Sequence, residues 1–161
     1  MDLTVKKAVQ SDVPGILKIW KELMVHHENL DPDSFGMCDC APGIYADFLS
    51  RILDDKEYYV PVAILEGKIT GYSVAHITNH PPLFELMPRG EIVDIAVLEE
   101  HRRKGIGAII LSGIIEWFHR ENIFRIEMNV AEENDIGRAF WESSGFKLFL
   151  RKMYLPERRV E

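Results

Sequence analysis

The run Arg102-Arg103-Lys104-Gly105-Ile106-Gly107 constrains this chain more than any other stretch. A strand-like run, Glu91-Ile92-Val93-Asp94-Ile95-Ala96-Val97, leads into it, and a long apolar helix pattern from Ile106 to His119 leads out. Strand, basic glycine turn and helix together make a place for a phosphate. The N–H groups of a first helical turn have no partner inside the helix, and the helix dipole adds partial positive charge there. Glycine lets the backbone approach an anion closely. Arg102, Arg103 and Lys104 add full charges beside it. The pattern is not a Walker A loop, which needs Gly-x-x-x-x-Gly-Lys-Ser/Thr. It is not a dinucleotide fingerprint either, because Ile110 stands where the third glycine belongs.

Composition narrows the class. A chain of 161 residues, 47% apolar and 28% charged, is expected to form one domain over 1–161 with a sizeable core. No apolar run approaches the roughly 20 residues of a membrane span. Met1-Asp2-Leu3-Thr4-Val5 lacks a basic and then apolar signal region, so a cytoplasmic location is expected. Cys38 and Cys40 are one residue apart, poorly placed for an intramolecular disulfide, and are read as reduced thiols in a loop. A metal site would need further ligands, and only Asp39 is near. The net charge of −7 disfavours nucleic acid. One basic loop on an acidic chain fits an anionic cofactor.

Periodicity and turn residues give the order of elements. Leu3 to Val9 reads as a strand, and Ser11-Asp12 caps a helix to about His27. Asn29 to Pro42 reads as a loop, and Ile44 to Leu53 as a second helix. Tyr58 to Leu65 and Ile69 to Thr78 form a hairpin about Glu66-Gly67-Lys68. Asn79 to Gly90 holds three prolines and reads as a connection to the strand Glu91 to Leu98. After the long helix come a strand, Ile123 to Val130, and a short helix opened by Asn134 and ended by Gly145. Phe146 to Leu155 is read as the last strand.

The basic loop, with the segments IVDIAVLEEHRRKGIG and NDIGRAFWESSGF, resembles the GNAT N-acetyltransferase family, whose loop reads Gln/Arg-x-x-Gly-x-Gly/Ala. The resemblance is close over roughly 58–155 and loose before that. It implies an α+β fold, the GNAT acyl-CoA N-acyltransferase fold, with a mixed central sheet flanked by helices. It also implies transfer of an acetyl group from acetyl-CoA to a small-molecule or peptide amine by direct attack, with a carboxylate as general base. A non-catalytic acyl-CoA-binding module is the alternative. Family members often dimerise, so a homodimer is compatible with the resemblance.

Roles follow from that likeness. Backbone groups of the loop Arg102, Arg103, Lys104, Gly105, Ile106, Gly107 and Ala108 would face the pyrophosphate. The backbone of Ile95, Ala96 and Val97 would pair with the pantetheine arm like an added strand. Asn134 would hydrogen-bond the same arm. Glu91 is the expected general base, since an alkylammonium with pKa about 10.4 must lose a proton before attack. Asp94 is its rival, because residues three apart on a regular strand face opposite ways unless a bulge intervenes. Trp141 replaces the family's tyrosine acid and would pack at the sulfur end of the cofactor. A thiol with pKa about 8.5 already leaves well as thiolate, and Tyr154 or Tyr72 are the residues that could substitute as acid. His26 and Glu28 are the candidates for the acceptor site.

Overall fold

The computed structural model describes residues 3–79 and 88–155. They divide into two compact units, 1–129 and 130–161. The first holds a six-stranded sheet: β1 (Leu3–Lys7), β2 (Tyr58–Tyr59), β3 (Pro61–Leu65), β4 (Lys68–Thr78), β5 (Arg89–Val97) and β6 (Ile126–Met128). Its helices are α1 (Val13–Leu30), α2 (Pro32–Phe35), α3 (Ala41–Ile52) and α4 (Ile106–Arg120). The second unit holds α5 (Asp135–Ser143).

The strand order is β1-β3-β4-β5-β6, with β2 also paired to β4. All pairs are antiparallel except β5 with β6, so the sheet is mixed, as the α+β reading requires. The β3–β4 hairpin turns through Glu66 and Gly67 at φ 51° and 76°. Two left-handed residues in a row match the twist of the flanking strands.

The two faces of the sheet carry different helices. Tyr72, Val74 and Ala96 join Ile16, Ile19 and Trp20 of α1 and Leu49 and Ile52 of α3 in one buried core. On the opposite face, Gly71 and Gly90 let α4 come close. A Cβ on Gly71 would stand 2.9 Å from Ile110, and one on Gly90 2.5 Å from the Phe118 ring. Full burial of an aliphatic or aromatic side chain such as Ile16 or Phe118 contributes about 1.5–3 kcal/mol.

Several sequence expectations change. The helix expected to stop at His27 runs on to Leu30. The loop after it contains one helical turn, α2, capped by Asp31 accepting from Ser34 N–H at 3.1 Å. The strand expected over 58–65 breaks at Val60, just before Pro61, which has no N–H to give a ladder. Arg89 and Gly90, expected in a connection, begin β5; Pro81 and Pro82 lie outside the described residues. The strand expected from Ile123 to Val130 shortens to Ile126–Met128. Phe146 to Leu155 forms no strand. A ladder needs two strands, and α5 is the regular element of that unit.

Cys38 and Cys40 are joined in a disulfide, not held as free thiols. The chain turns here, with Ala41 N–H donating to the Cys38 carbonyl at 3.0 Å, and the turn brings the two Cα atoms to 5.3 Å. That separation lies within the range a disulfide spans.

Candidate active site

The basic loop sits where strand becomes helix. Gly105 precedes α4 at φ 80°, and Arg103 is also left-handed at φ 58°. No side chain caps α4, so the N–H groups of its first turn have no capping partner. Arg102, Arg103, Lys104 and Gly105 are exposed, as is Ala108, while Ile106 is buried and anchors the helix beneath. Arg102 Nε donates to the Val97 carbonyl at 3.0 Å, and Lys104 Nζ to the Glu100 carbonyl at 2.9 Å. Two of the three cations thus brace the loop as well as charge it.

Beside the loop, β5 has an open edge. β6 pairs with it only over Gly90–Ile92. From Val93 to Val97 the edge facing away from β4 has no partner strand among the described residues, and Ile95, Ala96 and Val97 lie along it. The Val97 carbonyl is already engaged by Arg102.

A β-bulge settles the geometry of the two carboxylates. Asp94 is opposite Val74, but Ile92 is opposite Ala75, so Val93 is an extra residue in β5. Ser73 Oγ donates to the Asp94 carbonyl at this point. Glu91, paired with His76, and Asp94, paired with Val74, therefore face the same side as Tyr72.

Their surroundings differ. Asp94 Oδ2 accepts hydrogen bonds from Tyr45 of α3 and from Tyr72 of β4, the second at 3.3 Å. The two hydroxyls are themselves 3.3 Å apart. Trp20 stacks on Tyr45 with ring centres 4.4 Å apart. Burial pushes the Asp94 carboxyl above the usual carboxylate range, and the tyrosine hydrogen bonds pull against that rise. Burial likewise pushes Tyr45 and Tyr72 above an ordinary phenol, and the Asp94 charge adds to it. Tyr72 is fully buried. Glu91 is part-exposed and lies 3.7 Å from His76 Nε2. On β6 its neighbour Glu127 is held by Arg89 at 3.3 Å and Arg125 at 2.6 Å.

Among the α1 histidines, His27 is the one whose charge bears on Asp94. Burial, and then the neighbouring His26, hold its imidazole below the ordinary value. His27 stacks on Phe35 at 5.0 Å. His26 and Glu28 share its turn of α1 but are not in the Asp94 cluster.

In the second unit, Asn134 caps α5 by accepting from Gly137 N–H at 2.9 Å. Trp141 is buried between Phe140 and Phe146, at 5.0 Å from each. Tyr154 lies in irregular chain and is 76% exposed. The sequence reading missed Tyr45 and His76; both lie in elements it had placed, and only cross-strand register brings His76 to Glu91.

The acetyltransferase (GNAT) family model matches residues 20–146. The chain belongs to that family. An N-alpha-acetyltransferase of Saccharolobus solfataricus is 29% identical over 91% of this chain and 81% of its own length. An uncharacterized N-acetyltransferase of Archaeoglobus fulgidus is 27% identical over 90% of this chain and 93% of its own. Among solved structures, the tetramutant of BH1408 from Bacillus halodurans matches with TM-score 0.86 at 25% identity, over 96% of this chain and 99% of that one. The aminoglycoside N-acetyltransferase AAC(6')-Iy in complex with CoA has the same fold, with TM-score 0.73 at 16% identity, over 97% and 95% of the two chains. The protein is thus a GNAT acyltransferase that takes its acyl group from a CoA thioester. No described helix is long and apolar enough to cross a membrane.

Proposed function

We propose that this GNAT protein moves an acetyl group from acetyl-CoA to a primary amine by direct attack, with Glu91 as general base. The observation that carries the assignment is the contrast between the two carboxylates. Both face one side of β5, but Asp94 is closed over by two tyrosine hydroxyls while Glu91 stays part-exposed. A base must reach the amine proton directly or through one water.

The loop from Arg102 to Ala108 would take the pyrophosphate on the uncapped first turn of α4. The pantetheine arm would add to the open edge of β5 at Ile95 and Ala96, and a backbone N–H there would polarise the thioester carbonyl. The attacking nitrogen bonds to the acyl carbon, the C–S bond breaks, and the electron pair leaves on sulfur. A thiol with pKa about 8.5 leaves well as thiolate, so no tyrosine acid is required. The family match supports one domain over the residues that it covers, 20–146. The names of the curated relatives make a polypeptide α-amine the acceptor to assay first, with small amines beside it.

The test is Glu91→Gln. The expected result is a fall in turnover of about 10²–10⁴-fold with acetyl-CoA binding unchanged. Full activity in the variant would reject Glu91 as base.

A further inference from the structure

We propose that His76 completes the base. It takes from Glu91 the proton that the attacking amine gives up, and passes it to solvent. This rests on the reading of Glu91 as base.

His76 and Glu91 are direct cross-strand partners on β4 and β5. Directly opposite side chains in an antiparallel pair start about 4.5–5.5 Å apart at Cβ, so register alone brings imidazole to carboxylate. Nε2 lies 3.7 Å from Glu91 Oε2. A small rotation of either side chain closes that contact to a hydrogen bond, as happens when substrate tightens a loose unliganded site. The imidazole plane is fixed by stacking on Tyr58, with ring centres 5.0 Å apart and planes 19° apart, and Phe48 of α3 packs edge-on against Tyr58. The side chains of His76 and Glu91 are 21% and 29% exposed, enough to meet water and too little to be bathed in it.

Among the described residues, the charged groups on the strands beside the pair are engaged elsewhere. On β5, Asp94 is held by Tyr45 and Tyr72. On β6, Glu127 is held by Arg89 and Arg125. On β2, Tyr58 stacks on the ring face. Among the described residues, Glu91 has neutral His76 Nε2 beside it at 3.7 Å.

Such a partner gives the proton a defined path away from Glu91. An ordinary carboxylate, with pKa about 4.3, is a weak acceptor for an ammonium proton, whereas imidazole changes charge between about pH 5 and 8. As the C–N bond forms and the C–S bond breaks, the nitrogen's proton moves to Glu91, then to His76 Nε2, then to water. Glu91 is thereby returned to its ionised form for the next turnover.

The test uses the full chain with acetyl-CoA and an accepted amine. His76→Ala opens space beside Tyr58, and added imidazole can enter it. The expected result is a loss of about 10²-fold in kcat with KM for acetyl-CoA unchanged. Imidazole should restore the rate in a saturable way, and N-methylpyrrole, of like shape but without a basic nitrogen, should not. A structural role for His76 would not produce that difference. Wild-type kcat in H76A, or a loss that imidazole fails to restore in a folded variant, overturns the proposal. If H76A does not fold, His76→Gln keeps the bulk, and wild-type kcat in H76Q overturns it equally. An inactive E91Q beside a fully active H76A would remove the relay and leave the Glu91 reading intact. A fully active E91Q would remove both.

Discussion

Glu91 and Asp94 face the same side of β5 although they are three residues apart, because Val93 is an extra residue opposite β4. On a regular strand one of the two would point into α4. The bulge therefore gives this face two carboxylates and leaves their surroundings to divide the work. Asp94 ties α3 to the sheet through Tyr45, while Glu91 stays part-exposed beside His76.

Asp94→Asn should raise thermal stability at neutral pH. Burial lifts the Asp94 carboxyl above the ordinary value of about 3.9, so the folded chain holds that proton more tightly than the unfolded chain does. The sign follows: the wild-type protein loses stability as pH rises from the ordinary carboxylate range through the raised value, and loses no more above it. Asn keeps an acceptor for both tyrosine hydroxyls and carries no charge. Melting curves across pH should show D94N gaining on wild type through that window and then holding a constant lead. A lead that shrinks with rising pH would reverse the assignment.

Arg103 and Lys104 should supply salt-dependent affinity for the CoA thioester. Both are exposed beside the uncapped turn of α4. Exposed charges act through water and are screened within about 8 Å at physiological ionic strength. R103A/K104A should weaken binding by about tenfold at low salt and flatten its salt dependence, read by titration calorimetry. Gly107→Glu should be more severe, about 10²-fold or beyond, because it sets a carboxylate among N–H groups meant for phosphate. Unchanged affinity in G107E would mean that the phosphates sit elsewhere.

The loop was legible in the sequence because its function is backbone geometry, and glycine, basic side chains and the strand–helix switch all leave marks at fixed spacing. The sheet core was legible for the same reason, through periodicity. Val93 left no mark: a bulge is a property of two strands, and its only trace is the Ser73 hydroxyl on the Asp94 carbonyl. Tyr45 read as one apolar position of a helix, yet its hydroxyl crosses to β5. His76 read as an unremarkable strand residue until register set it opposite Glu91. Phe146 to Leu155 has strand-like composition, but composition does not supply a partner strand.

Cys38 and Cys40 should resist alkylation until reduced. The bond closes a very short loop, and by the chain-entropy relation such a loop is worth only about 1–2 kcal/mol. Both residues are exposed, so a thiol reductant reaches them without unfolding the chain. Iodoacetamide should add no mass to the untreated native protein and two labels after mild reduction, with a small drop in melting temperature. Two labels without reductant would show free thiols in solution.

Gly90→Ala should cost about 1–3 kcal/mol of folding stability. The added methyl would stand 2.5 Å from Cε1 and Cζ of Phe118, a ring with no exposed surface and therefore little room to retreat. Relief has to come from separating β5 from α4, the two elements that flank the basic loop. Gly43→Ala is the control: nothing lies within 4 Å of its added methyl, and alanine favours the helix by about 0.5–1 kcal/mol. Urea unfolding should move the two midpoints in opposite directions from wild type. G90A should also lose turnover at temperatures where it stays folded, because Glu91 follows it directly on the displaced strand. Equal midpoints for G90A and wild type would mean that α4 does not seat Phe118 against β5 as described.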